Sequence, residues 1–273
     1  MLVSVIIPVY NSEATIRRCV ESVVISLERI TQDYEIICVD DGSSDNSLSL
    51  LKDIASQNER IIVVHQENAG AATARNRGLE ISKGDFIAFN DSDDEWLENH
   101  FEVLLEVFKK YPEIDCICAN HDIERQTTFF LKRIEENIFK VSLNAQQFKN
   151  RYSPPNSMIS RKIIEFGVRY NSILKGSEEF YFFNHILHDF NCLFLNQKVS
   201  QSILHKARFG ESGLSGNLKE MEKGELFSIC DAWKTLGVNF FVFCAAYVFS
   251  LLKYARRKII VKARTITGEQ RKC

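Results

Sequence analysis

The sequence predicts an α/β fold whose sheet is mostly parallel and carries helices on both faces. Three observations predict it. Short β-rich runs alternate with helical segments through the first half of the chain. The first run, Val3–Val9, is apolar and β-branched almost throughout, as a strand buried on both faces should be. Cap and turn residues stand where the pattern changes.

In order, Val3–Val9 is the first strand, with Pro8 near its end. Asn11 and Ser12 are placed to cap a helix through Glu28, with Ile16, Cys19, Val20 and Val23 at helical spacing. Glu35–Val39 is the second strand. Asp45 is placed to cap a helix near Ser47–Ser56. Ile61–His65 is the third strand, and Ala71–Ser82 a helix stopped by Gly84. Phe86–Asn90 is the fourth strand, followed by a helix near Glu98–Lys110, and Asp115–Ala119 is the fifth. From about His121 the rhythm breaks. Pro154–Pro155 signals a loop, Glu178–His188 a helix, and Arg208–Ser215 a Gly/Ser-rich loop. From about Gly216 a helical module follows. The expected division is therefore 1–120, 121–215 and 216–273.

Composition narrows the function classes. A chain of 273 residues suits one large α/β domain or two small fused ones, and 45% hydrophobic residues argue against disorder. A formal net charge of -2 gives no global reason to expect nucleic acid as a partner. The eight cysteines form no C-x-x-C pair, and several sit in apolar runs, so reduced thiols are expected rather than a zinc site or disulfides. Leu2–Val9 begins without a basic stretch or small-residue cleavage site, so no signal peptide is expected. Both features favour a cytoplasmic protein.

Three acidic clusters carry the chemistry. In Asp91-Ser92-Asp93-Asp94, carboxylates beside an anionic diphosphate make sense with a hard cation between them. Mg²⁺ is commonly held by one or two carboxylates plus substrate phosphates, and such a metal offsets charge on a departing diphosphate. The plainer reading is a solvated acidic turn, which its position directly after a strand weakens. Asp40-Asp41-Gly42-Ser43-Ser44-Asp45 ends another strand, where a carboxylate can accept from a base N–H or ribose hydroxyl. Gly42 allows a positive-φ turn; the alternative is a turn plus a helix cap. In Gly176-Ser177-Glu178-Glu179, carboxylates at a helix start are favoured by the macrodipole, and the same position suits a general base. In open α/β sheets ligands bind beyond the carboxyl ends of strands, so the first two clusters can converge on one ligand. The turn after the first strand, Val9-Tyr10-Asn11-Ser12, lacks the glycines of a nicotinamide-binding fingerprint. It also lacks the Gly-rich, basic loop expected of a nucleotidyltransferase.

Together these segments resemble glycosyltransferase family 2, inverting enzymes of the GT-A, Rossmann-like fold. The resemblance is carried by Val3–Asn11, Glu35–Asp45, Asn68-Ala69-Gly70, Ala74-Arg75-Asn76-Arg77-Gly78, and Gly84–Phe89 into Asp91–Asp94 and Trp96. It implies a nucleotide-sugar donor, typically a UDP-sugar, with Mn²⁺ or Mg²⁺. Pro8, Val9 and Tyr10 would line the nucleoside pocket and Asp41 would bind the base. Asp91 and Ser92 would contact the nucleotide sugar, and Asp93, with Asp91, would ligate the metal. Arg75 would anchor the nucleotide side or pair with one of these acids. His205 and Arg208 lie where relatives place residues near the diphosphate. Relatives carry Glu-Asp where this chain has Glu178-Glu179, with the Asp as base. Glu179 takes that position with one extra methylene, and a site unable to accommodate it would leave a non-catalytic nucleotide-sugar-binding relative. The Q-x-x-R-W signature of processive synthases is absent. The acceptor would be a saccharide or lipid-linked saccharide of surface polysaccharide or glycolipid biosynthesis.

Leu236–Leu252 has no charged residue and is followed by Lys253, Arg256, Arg257, Lys258, Lys262 and Arg264. The run is short of the about 20 apolar residues of a spanning helix. A helix lying on the anionic inner leaflet fits better; the alternative is a helix packed on the domain with a solvated basic tail.

Overall fold

The computed structural model describes residues 1–30, 32–121, 128, 131–204, 209 and 216–267. The chain enters as strand β1 (Leu2–Val9), buried from Val3 to Val9. Its side chains alternate between two cores: Val5 and Ile7 face one, Ile6 the other. Helices α1 (Ile16–Glu28), α2 (Ser47–Gln57) and α4 (His100–Lys110) cover the first core. Helix α3 (Ala71–Ile81) covers the second together with α6 (Arg161–Glu165) and α7 (Glu178–Asp189). Helices therefore lie on both faces, as the run of β-branched residues in β1 demands.

Beside β1 lie β2 (Asp33–Asp41) and β4 (Phe86–Phe89), and β3 (Ile61–Gln66) lies outside β2, all parallel. The remaining strands are mixed. Strand β9 (Ser157–Ser160) runs antiparallel between β4 and β6 (Cys116–His121). Strand β10 (Cys192–Ser202) pairs parallel with β6, and antiparallel with β5 (Asp94–Trp96) and β8 (Ile138–Lys140). Strand β7 (Lys132–Glu135) closes the edge on β8. Strands β9 and β5 are not among the elements expected from sequence, because four and three residues are too few to show a period. A short helix, α5 (Leu143–Gln146), follows β8, and a 3-10 turn at Pro154–Asn156 occupies the expected loop.

Two local expectations change. Asn11 and Ser12 do not cap α1: a turn intervenes, in which the Ser12 carbonyl accepts from the Thr15 and Ile16 N–H groups. Gly84 does not end α3, which stops at Ile81 with Ser82 extended. Gly84 instead lets the backbone close on β1, where an added Cβ would lie 2.4 Å from the Ser4 nitrogen. Asp45 does meet the start of α2, accepting from the Ser47 N–H at 2.9 Å.

The chain closes with two helices, α8 (Leu218–Thr235) and α9 (Phe240–Thr267). Ile229 of α8 and Ala246 of α9 share a small core with Phe180 of α7, so the extension is packed on the main domain. Among the described residues no helix is long and apolar enough to cross a membrane.

Candidate active site

Strand register places the first acidic pair. In the β2–β3 ladder Asp40 lies beside His65 and Asp41 beside Gln66. Asp40 is fully buried and its Oδ2 is 2.7 Å from His65 Nδ1. Asp41 accepts from Gln66 Nε2 at 2.7 Å, from the Ala69 N–H at 2.9 Å and from the Gly70 N–H at 2.8 Å. An ionised carboxylate has about four lone-pair sites, of which these bonds fill three. Asp41 thus fastens the loop that starts α3. Gly42 stands at φ +71 with Asn68 N 2.8 Å from where its Cβ would be, a position closed to side chains.

Asp91-Ser92-Asp93 forms the turn between β4 and β5. Its backbone is held on three sides. The Asp94 N–H donates to Asp91 O, the Ile203 N–H donates to Asp93 O, and the Cys19 thiol of α1 donates to Asp91 O. Ser92 Oγ meets Ser12 Oγ at 2.7 Å, which ties the turn to the segment after β1. Asp94 is buried, with Oδ1 3.4 Å from His121 Nε2.

Arg75, on α3, joins this turn to the base of α7. It donates to Asp91 Oδ1 at 2.7 Å and to Glu178 Oε1 at 3.0 Å, and it is 5% exposed. The guanidinium lies over the Tyr170 ring, which stacks on Phe182 of α7. Burial works against its charge, but Asp91, Tyr170 and Glu178 outweigh burial, so its pKa is raised above the ordinary arginine value. The ion-paired alternative for Arg75 is the arrangement seen.

Pinning Glu178 separates the two glutamates at the start of α7. Glu178 is 4% exposed and spent on Arg75. Glu179 is half-buried, with a long side-chain contact from Asn150 Nδ2 at 3.4 Å. Burial first, then the neighbouring Glu178 charge, push its carboxyl up to about 8. The helix N-terminus favours the anion, but desolvation wins. Ser177, just before it, is left-handed at φ 55.

The structure therefore brings together Arg75, Asp91, Ser92 and Glu178, with Glu179 and Asp93 beside them in sequence. Tyr10 is exposed, whereas Pro8 and Val9 are buried in β1. His205 and Arg208 lie outside the described residues. Gln66, Asn68, Tyr170 and Ser12 also serve the site. Only the strand register could have signalled Gln66, and nothing local signals Tyr170.

No group of three or more His, Cys, Asp or Glu side chains that could hold a metal occurs among the described residues. The donor set in the Asp91–Asp93 turn is hard carboxylate oxygen. It fits a small divalent cation whose remaining ligands come from a diphosphate.

The sheet order and helical faces are those of GT-A glycosyltransferases. The S. aureus TarS 1-349 structure in complex with UDP-GlcNAc matches at TM-score 0.70 and 18% identity, over 92% of this chain and 72% of that one. The mannosyltransferase PcManGT from Pyrobaculum calidifontis, in complex with GDP-Man and Mn²⁺, matches at 0.67 and 15%, over 98% and 79%. Within that class the chain belongs to glycosyl transferase family 2, whose family model matches residues 4–167. Among curated relatives, the glycosyltransferase GlyA of Streptococcus pneumoniae is 33% identical over 208 residues, 72% of this chain and 28% of GlyA. The putative glycosyltransferase EpsH of Bacillus subtilis is 41% identical over 128 residues, 46% of this chain and 35% of EpsH. The chain thus spans well under half the length of these two relatives.

Proposed function

We propose that this chain transfers a sugar, with inversion, from a UDP-sugar to an acceptor hydroxyl. The acceptor is a saccharide or lipid-linked saccharide in surface polysaccharide or glycolipid synthesis. The chain works in the cytoplasm, with peripheral contact to the inner leaflet. One observation supports the reading: Arg75 bonds Asp91 and Glu178 at once, so the turn after β4 and the start of α7 lie side by side.

Asp41 offers its remaining lone pair to the base, and Tyr10 is the exposed wall of the nucleoside side. Asp91 and Ser92 face the donor. Asp93, with Asp91, would hold Mn²⁺ or Mg²⁺, which supplies Lewis-acid stabilisation of charge on the diphosphate. Asp94, engaged with His121, is not the ligand. Glu179 takes the proton of the acceptor hydroxyl. That oxygen attacks the anomeric carbon, the bond to the diphosphate oxygen breaks, and UDP leaves with the electron pair. Glu178, held by Arg75, positions α7.

The test is release of UDP from a panel of UDP-sugars with candidate saccharide acceptors, in EDTA and then in Mn²⁺. Acceptor-dependent, cation-dependent release is expected. Donor binding without release under any acceptor would favour the non-catalytic relative. Equal affinity with EDTA and Mn²⁺ would remove the cation from the site.

A further inference from the structure

Helix α9 runs 28 residues, about 42 Å at 1.5 Å per residue, and carries six cationic side chains and no acidic one. Its two faces differ. The inner face packs on α8: Ala246 and Ser250 are fully buried, and Ser250 Oγ donates to Glu222 Oε1. Lys253 and Arg257 pair with Glu225, so these two cations serve the contact between the helices.

The outer face is apolar where no described residue covers it. Phe241 is 80% exposed, Leu252 64% and Ile259 69%, and Val248, Phe249 and Leu251 are also exposed. Steps of seven, four and seven residues put Phe241, Val248, Leu252 and Ile259 in one stripe. Arg256, Lys258 and Lys262 are exposed beside the C-terminal part of the stripe. The aromatic part of the face thus precedes the cationic part along the helix.

We propose that the outer face of α9 docks on an anionic lipid bilayer. The helix lies in the interface, with Phe241, Val248, Phe249 and Leu252 in the acyl boundary and Arg256, Lys258 and Lys262 on lipid headgroups. Charge complementarity chooses this occupant over a second copy of the chain, because two such faces would bring their cations together. The apolar stripe supplies the insertion that a purely basic patch lacks.

The docked helix is tied to the catalytic cleft. Gly224 of α8 lies so close to the Gly176 carbonyl that an added Cβ would clash with it, and Ser177 Oγ donates to Met221 O at 3.1 Å. These contacts hold α8 against the turn that begins α7 and presents Glu179. A bilayer under α9 would set the height of the cleft above the membrane, where a lipid-linked acceptor is presented. That last step rests on the glycosyl-transfer reading; the docking itself rests on α9.

Flotation of the full chain with vesicles tests it, using phosphatidylcholine alone or mixed with phosphatidylglycerol. Wild type should float with the mixed vesicles and far less with the neutral ones. R256Q/K258Q/K262Q should lose about 10²-fold in vesicle affinity, at about 1 kcal/mol per cation. V248E/L252E should abolish flotation while circular dichroism and UDP-sugar binding stay as in wild type. A chain that floats with neither vesicle overturns the proposal, as does flotation indifferent to lipid charge. So does a dimer in sedimentation that V248E/L252E dissolves while vesicle binding persists. Loss of UDP release with intact flotation would instead count against the catalytic reading alone.

Discussion

The two sides of the cleft are built differently. On the proposed donor side, Asp40, Asp41 and Asp91 sit at or just beyond the ends of the parallel strands β2 and β4, which flank β1, and ladder register alone puts Asp41 beside Gln66. On the proposed acceptor side, Glu178 and Glu179 start a helix, and the Glu178 carboxylate reaches back 103 residues to Arg75. The family model matches 4–167 and stops before them. The donor side is positioned by local chain geometry. The other side depends on one buried guanidinium, and it should be the more fragile under substitution.

The largest expected effect is at Glu179. Glu179→Gln should cut turnover by about 10²–10⁴-fold, the usual worth of a general base, with donor affinity nearly unchanged by calorimetry. Glu178→Gln should cost less in turnover and more in stability. Near wild-type turnover in Glu179→Gln would move the base elsewhere.

Next is the bridge. Arg75→Met leaves Asp91 and Glu178 without their cation, and breaking a buried pair costs about 3–5 kcal/mol. Urea unfolding should show that loss, and the donor and acceptor sides should fail together. If only donor binding suffers, Arg75 does not couple the two sides.

The raised carboxyl of Glu179 fixes a pH dependence. A base must be ionised, so turnover should fall about tenfold per pH unit below about 8 and level off above it. Folded Glu179 holds its proton to higher pH than the unfolded chain does. Stability contributed at this position is therefore lost as pH rises from the ordinary carboxylate value towards about 8. Glu179→Gln should melt higher than wild type above that window and alike below it. A constant gap in melting temperature across pH would refute the assignment.

The smallest and sharpest test lies in the donor turn. Asp93→Asn should weaken Mn²⁺-dependent donor binding more than Asp94→Asn does, since Asp94 faces His121. Asp94→Asn should show mainly as lost stability. A reversed order of affinities would reassign the ligand.

Legibility follows the same division. The strands through β4 and the helices between them could be read because the strands are compact apolar runs and the helices carry apolar residues at helical spacing. The acids at their ends could be read because a parallel sheet gathers strand ends. Strands β5 and β9 could not, because their pairing is decided by distant partners and not by their own composition. The role of Arg75 was open in the sequence between a ligand contact and a buried ion pair, since nothing local says what α7 brings to it. Tyr170, which meets the Arg75 guanidinium and stacks on Phe182, is visible only in three dimensions. For α9 the packed alternative is what the fold shows on one side, through Ala246, Ser250, Lys253 and Arg257, while the opposite side is exposed.

Helix α9 also makes the molecule electrically lopsided. The formal net charge is -2 with +6 on this helix, which leaves -8 for all the rest. Such a separation is a permanent dipole, so a nearby anionic surface exerts a torque on the protein before any contact forms. Within a Debye length of about 8 Å at physiological salt, tumbling becomes biased towards orientations with α9 foremost. Ion-exchange behaviour should then depend on how the molecule is presented to the resin: a protein with a sequence pI near 6.3 can be retained by a cation exchanger at neutral pH through this one edge.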